Sequence, residues 1–290
     1  MNKTVLYQLN ETEKEEYMMS YVIATKKDNV IIVDGGRPEN MPFLKKCVNG
    51  RHISAWILTH AHSDHITGFM SEMAENGCRD FDIEKICYNF PPYELVDIDK
   101  DSVPDYDYLK EELDECLPEF DRLLPLFKEK VHIAQAGEVL TVDELKIEFL
   151  YSYDGGMYEN LMNDASLVFK VTGENKSVLF LGDLGPSGGD ALLNSAKDKL
   201  KSDICQMAHH GHMNCSMEVY AEIMPEVCLW SAPLWLYNEP EIPVYLADRK
   251  KLLKVNRHRM YGEALTRKWM DILGAKVHLV SGEGFHEIEI

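Results

Sequence analysis

Thr59-His60-Ala61-His62-Ser63-Asp64-His65 is the stretch that decides how this chain folds and what it holds. Three imidazoles and one carboxylate fall within six residues, directly after the apolar run Ile53 to Leu58. A strand ending there is expected to deliver all four groups to one loop at its C-terminal edge. His60 and His62, two apart, suit one cation, while Asp64 and His65 turn to a second. Neutral imidazole nitrogens and carboxylate oxygens are donors that Zn²⁺ and related divalent ions favour. A surface loop with a stray histidine supplies one such group, not four at ligand spacing.

Two later runs end the same way. Val178 to Leu181 leads into Gly182-Asp183, where the glycine admits a close backbone approach and a carboxylate with two oxygens can bridge two cations. Ile204 to Ala208 leads into His209-His210-Gly211-His212. Three strand-end clusters meeting at one edge make an open two-ion site with His60, His62, Asp64, His65 and Asp183 as expected ligands. One of His209 and His210 completes the set, and the other is free to pass a proton to a leaving group.

The rest of the chain reads as many short strands with helices between them. β-branched or aromatic runs bounded by Gly, Asp or Asn recur at Val5 to Leu9, Tyr21 to Thr25, Val30 to Val33, Lys85 to Tyr88, Leu145 to Tyr151, Leu167 to Val171, Val227 to Trp230, Lys276 to Val280 and Phe285 to Ile290. Helical spacing marks Met41 to Val48, Gly68 to Glu75, Tyr106 to Phe127, Ala191 to Leu200, Met217 to Met224 and Ala264 to Leu273. Sheets in the middle with helices outside is the expected layering. No repeat or linker divides the chain, so residues 1–290 read as one domain. Asn89 to Asp107 and Leu234 to Tyr261, Pro-rich and aromatic, read as insertions placed to act as lids.

A formal charge of −19, from 49 acidic against 30 basic residues, disfavours extended nucleic acid and anionic membrane as partners. Arg249-Lys250-Lys251 with Lys254, Arg257 and Arg259 is the one dense basic run, and it reads as a solvated helix face. Seven scattered cysteines without a Cys-x-x-Cys pair predict no disulfide framework and a reducing compartment. Met1 to Tyr17 is too polar and acidic for a signal peptide, and no apolar run approaches a membrane span of ~20 residues. A cytoplasmic location is expected.

Val33-Asp34-Gly35-Gly36, the His60 to His65 run, Leu181-Gly182-Asp183 and His209-His210-Gly211 resemble, in that order, the metallo-β-lactamase superfamily. The resemblance implies an αββα sandwich of two mixed β-sheets flanked by helices, with metals at one sheet edge. Asn163-Asp164-Ala165-Ser166, the doubled histidine before Gly211 and the late Gly274-Ala275-Lys276-Val277 resemble one branch. That branch holds the hydrolase domain of competence DNA-uptake proteins and the bacterial phosphorylcholine esterases. The resemblance favours His210 as ligand and His209 as the acid, and Asp34 as a support for the His60 loop.

The chain also departs from those patterns. The histidine that many superfamily members carry between the first cluster and the bridging Asp is missing. His132, in Val131-His132-Ile133, reads as strand filler, which leaves Asp154 or Asp164 as helpers to the first metal. Where the branch has Ser after His-His-Gly the chain has His212. Where the branch has Tyr-Gly-His-Pro it has Tyr261-Gly262-Glu263-Ala264.

The reading is a metal-dependent hydrolase with a binuclear site and metal-activated hydroxide, which Asp64 orients. Its cofactors are two divalent metal ions, Zn²⁺ first and Mn²⁺ or Fe as alternatives. Its substrate is a phosphodiester or related small molecule. A lactone, thioester or lactam hydrolase is the alternative, and a noncatalytic metal-binding module of the same fold is the third option.

Overall fold

The computed structural model describes residues 3–11, 16–96, 116–156, 160–212, 214–239 and 262–290. Two seven-stranded sheets form its centre. The first contains β1 (Val5–Gln8), β2 (Ser20–Ala24), β3 (Val30–Asp34), β4 (Ile53–Ile57), β5 (Ile86–Tyr88) and β6 (Val131–Ile133). The second contains β7 (Val139–Val142), β8 (Leu145–Tyr151), β9 (Val168–Thr172), β10 (Ser177–Phe180), β11 (Ile204–Gln206), β12 (Val227–Trp230) and β13 (Val277–Val280). The last strand, β14 (His286–Glu289), returns to the first sheet, giving the orders β14-β1-β2-β3-β4-β5-β6 and β13-β12-β11-β10-β9-β8-β7. Each sheet is mixed: β3 to β6 run parallel, as do β10 to β13, and the remaining pairs are antiparallel.

Side-chain alternation assigns the layers, because successive residues of a strand face opposite sides. Tyr21 and Ile23 of β2, with Ile31 and Val33 of β3, point to the core between the sheets, where Phe149, Phe169 and Phe180 meet them. Phe180 stacks on Phe169 at 5.0 Å and meets Tyr21 edge-on at 5.3 Å. The alternate residues Val22, Ala24, Val30 and Ile32 face outward under two helices. These are α1 (Met41–Val48) and α2 (Ser63–Asn76). The outer face of the second sheet is covered by α3 (Pro186–Ala196), α4 (Met217–Ile223) and α5 (Glu263–Leu273), through Leu192, Val219, Ile223 and Met270. Strands buried on both faces explain the continuous apolar runs in the sequence.

Most expected elements lie within one or two residues of their predicted bounds. One differs in a way that matters: α2 starts at Ser63, inside the histidine run. Ile66, Phe69, Met70 and Met73, at helical spacing, bury its inner face and pull the run's second half into the first turn. Asp64 and His65 therefore ride on a helix, not on the loop that carries His60 and His62. Strand β7 was not expected. It is a half-exposed edge strand, with Val139 46% exposed, and its short run Val139-Leu140-Thr141-Val142 is not among the expected strands.

Of the expected helix over 106–127, residues 116–123 are helical and Leu124–Phe127 is a 3₁₀ turn, while 106–115 lie outside the described residues. So do residues 97–107 and 240–261 of the two expected lids, with the basic run at 249–259. All seven cysteines are free thiols. Among the described residues no helix is long and apolar enough to cross a membrane.

Candidate metal centre

The three clusters emerge from the C-terminal ends of β4, β10 and β11, and the two sheets bring them to one edge. The loop after β4 crosses to the second sheet, where the Leu167 N–H donates to the Thr59 carbonyl at 2.9 Å. Gly182 makes the reverse crossing. A Cβ at this position would sit 3.0 Å from the Thr59 Cβ and 3.1 Å from the Ser166 side chain, and its φ is +56°. Glycine is thus required for both space and backbone conformation. Gln206, fully buried, fastens β10 to β11: its Oε1 accepts from Leu181 N–H at 2.8 Å, and its Nε2 donates to the Gly182 carbonyl at 3.0 Å.

Two donor groups form at this edge. Asp64, His65, Asp183 and His210 offer donor atoms that all lie within 4.8 Å of one another. His60, His62 and Asp183 form the second group under the same limit. Asp183 belongs to both. Its Oδ2 is 3.6 Å from His60 Nε2, 3.7 Å from His209 Nε2 and 3.5 Å from His210 Nε2, and its Oδ1 is 3.2 Å from His65 Nε2. His60 Nε2 and His62 Nδ1 stand 3.0 Å apart.

The outward nitrogens of His65 and His210 are held, which leaves their inward ones to the centre. The Nδ1 of His65 lies 2.7 Å from the Asp34 carboxylate, and His210 Nδ1 donates to the Ser231 carbonyl at 2.6 Å. Partners of this kind fix ring orientation and tautomer. Asp34 supports the loop, because the Thr59 N–H and hydroxyl each donate to it at 2.7 Å, and it also holds the helix through His65. His209 differs from its neighbour: its Nδ1 accepts from Asn214 Nδ2 at 2.6 Å, so the ring proton sits on Nε2, facing Asp183. Both His209 (φ +50°) and His210 (φ +57°) adopt left-handed backbone, costing on the order of 1–3 kcal/mol each. That turn aims two successive rings at one carboxylate.

The electrostatics call for positive charge. Burial alone would raise Asp64 and Asp183, yet His65 and His210 override it and hold both carboxyls far below the ordinary range. Burial alone would lower His65 and His210, yet the facing carboxylates raise His65 well above the usual value and His210 to about 10. Protons on these two rings occupy the place of cations. His60 and His62 face less carboxylate, and burial drives both down, His62 to about 4, so they stay neutral and able to ligate. His65 Nε2 and Asp183 Oδ1 are fully buried and make no hydrogen bond. Buried polar atoms without hydrogen-bond partners, facing one another across a His/Asp cluster, fit divalent cations.

The two expected helpers do not join. Asp164 spends its carboxylate on the backbone N–H groups of Gly188 at 2.9 Å and Asn160 at 3.2 Å. Asp154 lies in an exposed turn and accepts from Gly156 N–H at 2.8 Å. His132 is a strand residue of β6, 2.6 Å from Glu138. Sequence reasoning missed Asn214, Gln206 and Tyr17, whose ring stacks on His210 at 4.9 Å. None of the three carries a recognisable spacing, since each reaches the site by tertiary approach.

Comparison with known proteins agrees with this architecture. The family model described as the metallo-beta-lactamase superfamily matches residues 17–130, which include the first histidine cluster and stop short of Asp183. No curated protein matches the chain in sequence. The metallo-beta-lactamase fold protein YhfI from Bacillus subtilis is 13% identical at a TM-score of 0.51, over 98% of this chain and 99% of that one. A diphosphatase of the PhnP family is 11% identical at 0.51, over 99% and 98%. CmlA, a diiron β-hydroxylase from Streptomyces venezuelae, is 10% identical at 0.55, and the match spans 99% of this chain but 54% of that one. At such identities the likeness establishes the fold. The chain has two mixed sheets flanked by helices in the metallo-β-lactamase arrangement.

Proposed function

We propose that this chain is a metallo-hydrolase that binds two divalent ions and cleaves a small phosphodiester. The observation that carries the reading is the sharing of Asp183 between the two donor groups. His60, His62 and Asp183 would hold the first ion, and Asp64, His65, His210 and Asp183 the second. A His/Asp set without thiolate suits Zn²⁺ first, with Mn²⁺ or Fe as alternatives. Bound there, two divalent ions supply Lewis acidity to a phosphoryl oxygen and lower the pKa of water.

The chain's own groups do the rest. Asp64, at 7% exposure the most open carboxylate of the set, accepts a hydrogen bond from the attacking water and aims it. His209, partly open to solvent and kept neutral by burial with its single proton on Nε2, donates a hydrogen bond to the departing oxygen as charge develops there. Burial of the remaining ligands excludes bulk water and strengthens each electrostatic contact.

The fold does not select the reaction, since it serves a diphosphatase and a hydroxylase alike. In-line displacement between two ions favours a phosphodiester. A net charge of −19 favours a small ester over an extended nucleic acid. A panel of chromogenic phosphodiesters, lactones and thioesters, assayed with Zn²⁺ and with Mn²⁺, tests the reading. Turnover of diesters above the other classes supports it, and turnover confined to lactones or thioesters replaces it.

A further inference from the structure

The two histidines of the doublet hold outer partners of opposite polarity. His210 Nδ1 faces the Ser231 carbonyl at 2.6 Å, and a carbonyl only accepts, so in the neutral ring the proton sits on Nδ1 and the inner Nε2 keeps its lone pair. His209 Nδ1 faces the Asn214 amide nitrogen at 2.6 Å, and an amide nitrogen only donates, so Nδ1 keeps the lone pair and the proton sits on the inner Nε2. Both inner nitrogens stand near one oxygen: Asp183 Oδ2 is 3.5 Å from His210 Nε2 and 3.7 Å from His209 Nε2. The first is able to ligate a cation there, and the second is able only to donate. His209 accordingly belongs to neither donor group, although it stands beside the same carboxylate.

The turn itself builds the Asn214 contact. His212 N–H donates to the His209 carbonyl at 2.8 Å and Asn214 N–H to the His212 carbonyl at 2.7 Å, which folds the chain back and returns Asn214 to the ring five residues before it. A second contact fixes the amide's orientation: Nδ2 also donates to the Asp183 main-chain carbonyl at 3.4 Å, a place where the amide oxygen would meet another oxygen. Asn214 thus ties His209 to the backbone of the residue that both donor groups share. Burial holds the His209 ring below the usual histidine range, so at neutral pH it carries one proton, and the outer partner decides which nitrogen has it.

We propose that Asn214 is the positioning residue that sorts the doublet: its amide fixes His209 as an Nε2–H donor outside the metal shell, next to His210 as a ligand. The use of that N–H at the departing oxygen rests on the phosphodiesterase reading above. The choice of nitrogen rests on the contacts alone.

The test reads the His209 ring nitrogens by ¹⁵N NMR in the metal-free and the Zn²⁺-loaded protein, with metal content and turnover measured for each variant. In the parent, Nε2 is expected to be protonated and Nδ1 bare in both states. Asn214→Leu, similar in shape but without a donor, should populate the Nδ1–H form. Asn214→Asp, whose carboxylate only accepts, should place a proton on Nδ1. Both ions should be retained. Asn214→Leu should slow turnover of an alkyl diester by about 10–10²-fold and of a nitrophenyl diester by no more than about 2–3-fold. A parent ring protonated on Nδ1, His209 resonances unmoved in both variants, or loss of an ion from Asn214→Leu overturns the sorting role. Equal slowing of the two diesters, or none, overturns the use of the N–H at the departing oxygen. A parent inert toward every diester overturns the phosphodiesterase reading alone, because the nitrogen resonances decide the tautomer without turnover.

Discussion

Asp34 binds Thr59 with both carboxylate oxygens, Oδ1 accepting the backbone N–H and Oδ2 the hydroxyl, each at 2.7 Å. The same Oδ2 lies 2.7 Å from His65 Nδ1, so one buried side chain ties the loop of His60 to the helix of His65. Asp34 itself sits at φ +53°, a conformation that Asn shares readily and Ala does not. Asp34→Asn is expected to keep the fold and weaken metal binding by about 10–100-fold. Asp34→Ala, which leaves several buried donors unmatched, should cost about 3–5 kcal/mol of stability. Metal titration and urea denaturation of both variants check this, and parental affinity in Asp34→Asn would show that the carboxylate is dispensable.

His209 and His210 should fail differently. Loss of His210 removes the Nε2 that stands 2.8 Å from Asp64 Oδ2, leaving three protein groups for one ion. His210→Ala should therefore bind that ion weakly. His209→Ala should retain both ions and slow turnover of a diester with a poor leaving group by about 10²–10⁴-fold. The defect should shrink when nitrophenolate departs, because that group needs little stabilisation of its developing charge. Equal ion loss in the two variants would make His209 a ligand instead.

Glu11 gives the metal-free protein a defined pH dependence. Burial raises its carboxyl to about 7, against the lowering effects of the Ser281 hydroxyl at 2.5 Å and of His210. A carboxyl raised from about 4.5 contributes stability that is full below that value and lost as pH rises through about 7. Glu11→Gln keeps a partner for Ser281 and removes the charge. It should raise metal-free stability at pH 8 by about 1–3 kcal/mol and leave pH 4 nearly unchanged. A melting profile against pH with the same slope as the parent would contradict this.

Much of the architecture was legible because the signals were local. Two-faced burial made the strands read as apolar runs, and each ligand-bearing turn sits directly after such a run at 58, 181 and 207. The start of α2 was not legible, since a dense run of ligands masks the helical spacing of Ile66, Phe69 and Met73 that begins just after it. Asp164 was misread because a buried carboxylate near the site looks in sequence like a ligand, whereas its oxygens go to backbone amides at Asn160 and Gly188.

The central claim is that Asp183 is shared by two cations, and metal stoichiometry after reconstitution tests it most directly. Inductively coupled plasma mass spectrometry of the purified, Zn²⁺-loaded protein, with circular dichroism to confirm folding, should give close to two ions per chain in the parent. Asp183→Ala should lose both, or hold them far more weakly, because one side chain takes part in both donor groups. A folded parent that takes up no ion, or an Asp183→Ala variant that holds two as tightly as the parent, would contradict the account.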